Sequence, residues 1–325
     1  MKDAFGRNID YMRISVTSKC DLFCSYCRPR DAQSGSDTNH FELSAENIRD
    51  TVRAASEIGI SSFKITGGEP LVRQDTPEII STLKTIPGVN EVTITTNGVL
   101  LRKRINELKN SRVDRINVSL DTIDEKDYEL LTGRPVLNEV LNGISEAVNS
   151  GIPVRVNCVN RGTKTSATDM VKMADRLSVD IRFIELMPVG EGRLHESFSN
   201  QNVINELSES FGELTIINGK TGNGPAVYYS VPGLKTKVGF ISAMNKCFCE
   251  SCNRIRLTSY GILKPCLCYN STVDLRDVFL IENAMARNEE LKRLIEKAVN
   301  EKPERHSFYD IEKVTEEYTM DCIGG

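Results

Sequence analysis

Residues 13–27 read Arg-Ile-Ser-Val-Thr-Ser-Lys-Cys-Asp-Leu-Phe-Cys-Ser-Tyr-Cys, and the three cysteines in this stretch decide the fold. Cys20, Cys24 and Cys27 have the spacing C-x3-C-x2-C. Cysteine thiolates hold iron–sulfur clusters, whose potentials reach about −700 mV. Three thiolates leave one iron of a 4Fe–4S cluster without a protein ligand, so a small molecule can bind there. The alternative is zinc, but structural zinc sites take four ligands, usually in C-x2–4-C pairs.

Composition excludes several classes of protein. The chain has 325 residues, 39% of them hydrophobic, and a formal net charge of −4. This length suits one barrel-like α/β domain with an extension, and the charge gives no argument for nucleic acid or membrane partners. Residues 1–6 have no apolar signal core, and no run approaches the roughly 20 apolar residues of a membrane span. We therefore expect a cytoplasmic protein, in which ten cysteines indicate metal binding or catalysis rather than disulfides.

Apolar, β-branched segments alternate with segments of helical periodicity. The predicted strands are residues 12–16, 62–66, 91–96, 115–120, 154–159 and 180–185. The predicted helices are roughly residues 44–59, 76–86, 101–110, 137–150 and 165–177, with Ser44 as an N-cap and Gly59 and Gly151 at C-terminal ends. Such βα repeats imply a parallel sheet. From about residue 190 the alternation stops, and we expect short strands at 227–231 and 237–241 and a helix at 282–300.

Polar motifs follow the ends of the predicted strands. Gly67-Gly68-Glu69-Pro70 follows the second strand, Asn97-Gly98 the third and Asp121 the fourth. Active sites of α/β barrels lie at the carboxyl ends of the strands, so these groups should meet at one rim. The two glycines would let a ligand approach the backbone closely, and Glu69 offers a carboxylate.

A second group of cysteines lies between Cys247 and Cys268. Cys249, Cys252 and Cys266 have the spacing C-x2-C-x13-C, and Cys268 would supply a fourth thiolate. Spacing alone leaves zinc and iron–sulfur equally open. Arg254 and Arg256 follow directly, and guanidinium groups match phosphate and the edge of guanine. The three histidines, His40, His195 and His306, are scattered and are predicted to lie on the surface.

The first triplet together with Gly67-Gly68-Glu69-Pro70 resembles the radical S-adenosylmethionine (SAM) superfamily. The addition of the second triplet, Asn253-Arg-Ile-Arg-Leu and the final Gly324-Gly325 makes the whole chain similar to the GTP 3′,8-cyclases of molybdenum cofactor biosynthesis. The resemblance implies a partial (β/α)6 TIM-like radical SAM barrel with a C-terminal extension carrying a second iron–sulfur cluster. We expect the barrel in residues 1–220 and the extension in residues 221–325.

The same resemblance implies the chemistry and its residues. A 5′-deoxyadenosyl radical from SAM would take the 3′ hydrogen of GTP, and the ribose carbon would then attack C8 of guanine. The cofactors would be SAM and two 4Fe–4S clusters, held by Cys20, Cys24, Cys27, Cys249, Cys252 and Cys266. SAM would contact Tyr26, Gly67, Gly68, Glu69, Ser119, Arg182 and Met187. GTP would contact Arg13, Lys64, Thr95, Arg155, Arg254, Ile255 and Arg256, with Arg254, Arg256, Gly324 and Gly325 acting in catalysis.

The family also implies partners: GTP, a flavodoxin- or ferredoxin-type reductant, a downstream enzyme that receives the cyclised nucleotide, and a second copy of the chain. Three positions depart from the family pattern. Ser62 stands where a lysine is common, Lys64 where an arginine is common, and Arg155 replaces a lysine. The loss of charge at Ser62 would weaken phosphate binding and leaves a different substrate open. Two other functions compete, a peptide-modifying radical SAM maturase and a zinc-stabilised scaffold without activity.

Overall fold

The structure is a computed structural model, and it describes residues 1–28, 41–219, 222–245 and 247–324. Six parallel strands form the centre of its sheet, in chain order β1 (Tyr11–Ser15), β2 (Ser62–Thr66), β3 (Glu91–Thr96), β4 (Arg115–Ser119), β5 (Val154–Asn160) and β6 (Asp180–Glu185). Each strand pairs with its neighbour in sequence. The predicted strands are confirmed to within one residue at each end.

The rest of the chain extends this sheet at both edges. The additional strands are β7 (Thr215–Ile216), β8 (Val227–Ser230), β9 (Lys237–Ile241), β10 (Arg254–Leu257), β11 (Ile262–Lys264) and β12 (Val273–Asp274). Within the described residues one 12-stranded sheet has the order β12-β11-β10-β1-β2-β3-β4-β5-β6-β9-β8-β7. Strand β10 runs parallel to β1 and β9 runs parallel to β6, whereas the outermost pairs are antiparallel. The expected six-strand α/β barrel sheet is therefore confirmed.

Helices connect the parallel strands. Those of the central unit are α1 (Ala45–Glu57), α2 (Thr76–Leu83), α3 (Leu101–Asn110), α4 (Glu125–Thr132), α5 (Leu137–Asn149) and α6 (Ala167–Arg176). The later helices are α7 (Asn200–Phe211), α8 (Ala284–Asn300) and the one-turn α9 (Met320–Ile323). In the ranges that the structure describes, no helix is long and apolar enough to cross a membrane.

Local sequence explains where these helices begin and end. The Ser44 hydroxyl accepts a hydrogen bond from the N–H of Asn47 (3.1 Å), which confirms the predicted N-cap of α1. Gly59 has φ +94° and Gly151 has φ +83°, the left-handed conformation that favours glycine after a helix. Three helices of the described residues were not predicted: α4, α7 and the one-turn α9. The signals for α4 were present: Asp124 caps it by accepting from the N–H of Asp127 (2.8 Å), and Gly133 ends it at φ +77°.

The hydrophobic core lies on the outer face of the sheet and continues under the helices. Inner positions of the central strands are fully buried, for example Met12, Ile65 and Ile94. Along these strands apolar residues that face the helices alternate with polar residues that face the cavity, as in Ser62–Thr66 (SFKIT) and Glu91–Thr96 (EVTITT). The opposite face at the carboxyl ends carries polar side chains and borders the cavity described next.

Candidate active site

The first cysteine triplet lies in the loop after β1, at the carboxyl edge of the sheet. Cys20, Cys24 and Cys27 all line one cavity. The Sγ atom of Cys20 accepts a hydrogen bond from the N–H of Leu22 (3.4 Å). Burial, the nearby carboxylates Glu69 and Asp21 and other smaller effects together raise the pKa of Cys20 to about 12. A buried thiol of this kind loses its proton and becomes a good ligand when a metal cation binds beside it.

Gly67 and Gly68 pack directly against this loop. A Cβ atom at Gly67 would lie 2.6 Å from the carbonyl oxygen of Thr17, and one at Gly68 would lie 2.5 Å from that of Lys19. Both positions therefore require glycine because of close approach to the backbone. Glu69 is fully buried and does not line the cavity among the described residues. Its carboxylate accepts from the N–H of Leu71 (2.9 Å), the hydroxyl of Thr96 (2.7 Å) and the N–H of Asn97 (2.6 Å), so it joins the ends of β2 and β3.

Positively charged side chains line the middle of the cavity. They are Arg13 on β1, Lys64 on β2, Arg182 on β6 and Arg254 and Arg256 on β10. Burial lowers the pKa of Lys64 well below its ordinary value, and Arg182 and Arg13 lower it further. Burial likewise lowers the pKa of Arg182 to about 10. Buried cations that depress one another's pKa mark a place where an anion is favoured.

Neighbouring amides hold Arg182 in place. Its Nε donates to Oδ1 of Asn157 (2.9 Å), and one terminal nitrogen donates to Oδ1 of Asn117 (2.7 Å). Thr95 also faces the cavity, and its buried hydroxyl has no hydrogen-bond partner among the described residues. Because buried polar atoms are nearly always paired, Thr95 indicates a polar ligand in the cavity.

Strand β10 explains how the second cysteine group reaches the first. Arg254 pairs in register with Tyr11, and Arg256 pairs with Arg13. Alternation along the strand directs both arginines to the cavity, while Ile255 is fully buried in the core. The side chain of Ile255 therefore does not reach the cavity, although the sequence motif had placed it with the GTP contacts.

Cys249, Cys252 and Cys266 line the same cavity as the first triplet. Burial acts to raise the pKa of Cys252, but Arg254 and Lys302 favour its thiolate and lower the pKa to about 6. Lys302 also donates to the carbonyl oxygens of Arg254 (2.9 Å) and Pro265 (2.8 Å), which fixes the approach to Cys266. Of the described residues, neither Cys247 nor Cys268 lines the cavity.

Both ends of the chain reach this region. Arg7 donates to the carbonyl oxygens of Cys249 (3.0 Å), Pro303 (2.8 Å) and Glu304 (2.8 Å), so the N-terminal segment is tied to the second cysteine group. Arg256 donates to the carbonyl oxygen of Gly324 (2.8 Å). A Cβ atom at Gly324 would collide with the hydroxyl of Thr66 at the end of β2, so only glycine fits there. Gly325 lies outside the described residues.

The remaining predicted residues are distributed as follows. Tyr26, Ser119 and Met187 line the cavity, and the hydroxyl of Tyr26 donates to Asp121 (2.7 Å). Arg155 does not line it within the described ranges; it stacks on Tyr228 at 5.1 Å and lies 3.5 Å from Asp180.

Several residues of this region were not anticipated from sequence. Tyr11, Lys302 and His306 line the cavity. His306 is 6% exposed, so its predicted surface position is wrong, whereas His195 is half-buried and His40 lies outside the described residues. Burial lowers the pKa of His306, with the Ala243 backbone acting in the opposite direction, and the ring is mainly neutral at pH 7.

Comparison with known proteins places this site in a family. Residues 14–174 match the model of the radical SAM superfamily, and residues 179–308 match that of Molybdenum Cofactor Synthesis C. A GTP 3′,8-cyclase of Clostridium perfringens (strain SM101 / Type A) is 39% identical over 329 residues, covering 100% of both chains. That of Alkaliphilus metalliredigens is 39% identical over 331 residues, again covering 100% of both. The chain belongs to the GTP 3′,8-cyclase family.

Solved structures confirm the fold of this family member. Streptococcus suis SuiB bound to S-adenosylmethionine superposes with a TM-score of 0.61 at 17% identity, over 89% of this chain and 68% of that one. Native anSMEcpe with bound AdoMet superposes with a TM-score of 0.55 at 15% identity, over 86% and 82%. At such identities the likeness concerns the radical SAM fold.

Proposed function

We infer that the chain is a GTP 3′,8-cyclase that uses SAM and an iron–sulfur cluster in the biosynthesis of the molybdenum cofactor. The observation that carries this inference is the set of five cations, called here the cation row, that lines the same cavity as both cysteine triplets. Burial and mutual repulsion lower the pKa of Lys64, Arg182 and Arg256. A triphosphate supplies the several negative charges that such a row favours, and guanidinium groups bind it with two parallel hydrogen bonds.

Cys20, Cys24 and Cys27 would hold the first cluster, and the residues around them fit it. The thiols face the cavity, and the backbone N–H of Leu22 already points at a sulfur atom. With SAM bound, this cluster supplies the one-electron reduction that starts the radical reaction. The open edge at Gly67 and Gly68 would receive the methionine end of SAM. Tyr26, Ser119, Arg182 and Met187 would receive the rest.

Glu69 has a different role in this proposal. Its carboxylate already accepts three hydrogen bonds from groups of the protein. We therefore assign it to positioning the ends of β2 and β3 under SAM, where the family pattern implies a direct contact with the amino group.

Cys249, Cys252 and Cys266 would hold a second cluster. The donor set fits, since three cysteines face the cavity while Cys247 and Cys268 do not line it. The cluster would then keep one iron without a protein ligand, facing the same cavity as the cations. The chemistry that it would supply is binding of the guanine base.

Charged groups would then orient the triphosphate and the ribose. Arg13, Lys64, Arg254 and Arg256 line the path between the two triplets, and the unpaired Thr95 hydroxyl can donate to a ligand oxygen. Arg155 lies behind this row, near Lys64 and Arg182, and would contribute at longer range. The segment with Gly324 and Gly325 would complete the site, because Arg256 donates to Gly324. The cation row and this segment would exclude water from the reacting ribose.

Further parts of the proposal follow from the family alone. They are a flavodoxin- or ferredoxin-type reductant, a downstream enzyme that receives the cyclised nucleotide, a homodimer and a cytoplasmic location. The division into residues 1–220 and 221–325 stays a prediction.

The test is an anaerobic turnover assay. The protein is reconstituted with iron and sulfide, supplied with SAM and dithionite, and assayed for 5′-deoxyadenosine with and without GTP. We expect a strong rise with GTP together with a new cyclised nucleotide. SAM cleavage that does not respond to GTP would keep the superfamily and replace the substrate, as for a peptide maturase.

Arg254→Ala makes this test specific for the cavity. We expect the variant to lose GTP-dependent turnover by about 10- to 100-fold, because a charge-assisted contact to phosphate is removed, while SAM binding changes little. The matched control is Arg293→Ala, which removes an exposed arginine on α8. Equal GTP turnover in the two variants would remove Arg254 from the substrate site.

A further inference from the structure

Cys247, Cys249 and His306 form a compact set of metal-ligating side chains, called here the Cys247–Cys249–His306 trio. One ligand atom from each residue lies within 4.8 Å of the other two. Cys247 is exposed, whereas Cys249 and His306 are buried. Cys247 follows β9 in the chain, and His306 comes from the segment after α8. The two cysteines are close in sequence, but His306 is at least 57 residues from either of them, so the fold brings the trio together.

The separation of the ligand atoms suits a single ion. Bond lengths of about 2.3 Å to sulfur and about 2.0–2.1 Å to nitrogen place tetrahedral ligand atoms about 3.5–3.8 Å apart. From a separation of at most 4.8 Å, the ligand atoms would approach one another by no more than about 1.3 Å to reach this geometry. Cys247 is exposed and forms no disulfide.

The histidine gives a second observation. Its Nε2 atom is buried and has no hydrogen-bond partner of normal geometry among the described residues. Its Nδ1 atom accepts a weak hydrogen bond from the N–H of Phe308 (3.3 Å), so the neutral ring carries its proton on Nε2. Metal binding at Nε2 would move this proton to Nδ1 and break the weak hydrogen bond to Phe308. The backbone N–H of His306 donates to the Sγ atom of Cys249 (3.4 Å), so the residue is already held against its proposed co-ligand. A buried imidazole with spare capacity beside two thiols is the donor set that Zn²⁺ and Fe²⁺ take.

We propose that Cys247, Cys249 and His306 bind one divalent metal ion, Zn²⁺ or Fe²⁺, through two thiolates and one imidazole nitrogen. The two thiols release their protons as the ion binds, and water occupies the fourth position on the exposed side of Cys247. Because Cys249 also belongs to the second cluster, the mononuclear ion and that cluster exclude each other. This last clause rests on the proposed function; the mononuclear site does not.

The consequence is a choice between two states of the chain. A chain that holds the single ion lacks the proposed guanine site, although its first cluster is intact. Such a chain would cleave SAM without cyclising GTP. The supply of zinc relative to iron would then set the fraction of competent enzyme.

The test uses the full-length chain with Cys20, Cys24 and Cys27 changed to alanine, so that the first triplet contributes no signal. The metal-free protein is titrated with Co²⁺ under reducing, anaerobic conditions, and thiolate-to-cobalt charge-transfer absorption is followed. Zn²⁺ is then added as a competitor. Separately, each protein is reconstituted with iron and sulfide, and acid-labile sulfide is measured with the iron, because the second cluster contains sulfide and a single ion does not. Circular dichroism checks the fold of each variant.

Two substitutions in this background separate the proposals. Cys247→Ser should weaken Co²⁺ binding at least about tenfold and leave about four iron atoms per chain after reconstitution. Cys252→Ser should leave Co²⁺ binding unchanged and prevent assembly of the second cluster, since Cys252 belongs to the cluster alone. Cys158→Ala, at a buried cysteine that does not line the cavity, is the matched control for both.

The outcomes are distinct. Retention of Co²⁺ by Cys247→Ser and its loss in Cys252→Ser would overturn the mononuclear site and leave the cluster assignment intact. Full iron loading of Cys252→Ser would instead overturn the cluster assignment. His306→Gln removes the proposed imidazole ligand and tests the site independently. Unchanged Co²⁺ affinity in this variant would also reject the site.

Discussion

The buried ion pair between Lys264 and Glu316 gives a test of how the C-terminal segment is held over the site. The Nζ atom of Lys264 lies 2.7 Å from Oε2 of Glu316, and both side chains have 0% exposure. Lys264 is on β11, next to β10 and its arginines. The other carboxylate oxygen of Glu316 accepts from the N–H groups of Glu317 (3.1 Å) and Tyr318 (2.9 Å). The pair thus anchors the segment that leads to α9 and Gly324.

The burial of both side chains sets the expected cost of removing one of them. Removal of one partner from a buried pair costs about 3–5 kcal/mol, because the other charge is left buried and uncompensated. At about 1.4 kcal/mol per factor of ten, Lys264→Met should raise the population of the undocked segment by about 100- to 4,000-fold. The double variant Lys264→Met/Glu316→Gln removes both charges and keeps the oxygen that accepts from the backbone. It should recover most of the loss.

Hydrogen–deuterium exchange of the backbone amides of residues 314–324 measures this population, because amides of a locally opened segment exchange in proportion to it. The control is Lys313→Met in the same segment, whose partner Asp310 is 2.8 Å away but whose side chain is 67% exposed. Exposed ion pairs contribute little, so exchange should not change. A rise of less than about tenfold in Lys264→Met, or no recovery in the double variant, would refute the reasoning.

Two further predictions concern ionisation in the metal-free protein. Burial raises the pKa of Glu69 from the ordinary value of 4.5 to about 7, although hydrogen bonds act to lower it. Because the pKa is higher in the folded state, the stability that this group contributes is lost as the pH rises from 4.5 to about 7. Glu69→Gln should therefore lose less stability than wild type over that interval in thermal unfolding, and equal losses would contradict the shift. Cys252, whose pKa is lowered to about 6, should be alkylated by iodoacetamide at pH 7 before Cys20, whose pKa is raised to about 12. Mass spectrometry of the labelled peptides checks the order, and Arg254→Ala should slow the reaction at Cys252.

The central unit of the fold could be predicted because its signals are local. Strands such as β1 and β3 carry β-branched and apolar residues at alternate positions, and helix ends carry caps such as Ser44. Helix α7 was not predicted because the alternation of strands and helices in the sequence stops near residue 190. Strand β10 was not predicted because its four residues, Arg254–Leu257, were interpreted as a polar motif. In the structure their side chains alternate between the cavity and the core.

Part of the site could be predicted for a related reason. Residues at the carboxyl ends of successive parallel strands lie close together, and Gly67, Gly68 and Asn97, which were expected to meet at one rim, line one cavity. The pairing of Tyr11 with Arg254 joins residues 243 positions apart (254 − 11), and no local pattern encodes it. Lys302 and His306 gave no signal at all, since a lysine and a histidine in a polar segment look like surface residues.

The departure at Ser62 is explained by its neighbours. Asn223 donates to the hydroxyl of Ser62 (2.8 Å) and to Glu91 (2.8 Å), and Glu91 also pairs with Arg115 (3.2 Å). A lysine at position 62 would add a charge beside Lys64, whose pKa is already lowered by Arg182 and Arg13 as well as by burial. Serine instead supplies a neutral group that accepts a hydrogen bond from Asn223, and the charge for binding an anion stays on the remaining cations. The loss of the lysine therefore reduces repulsion among the cations without removing the row that would hold a triphosphate.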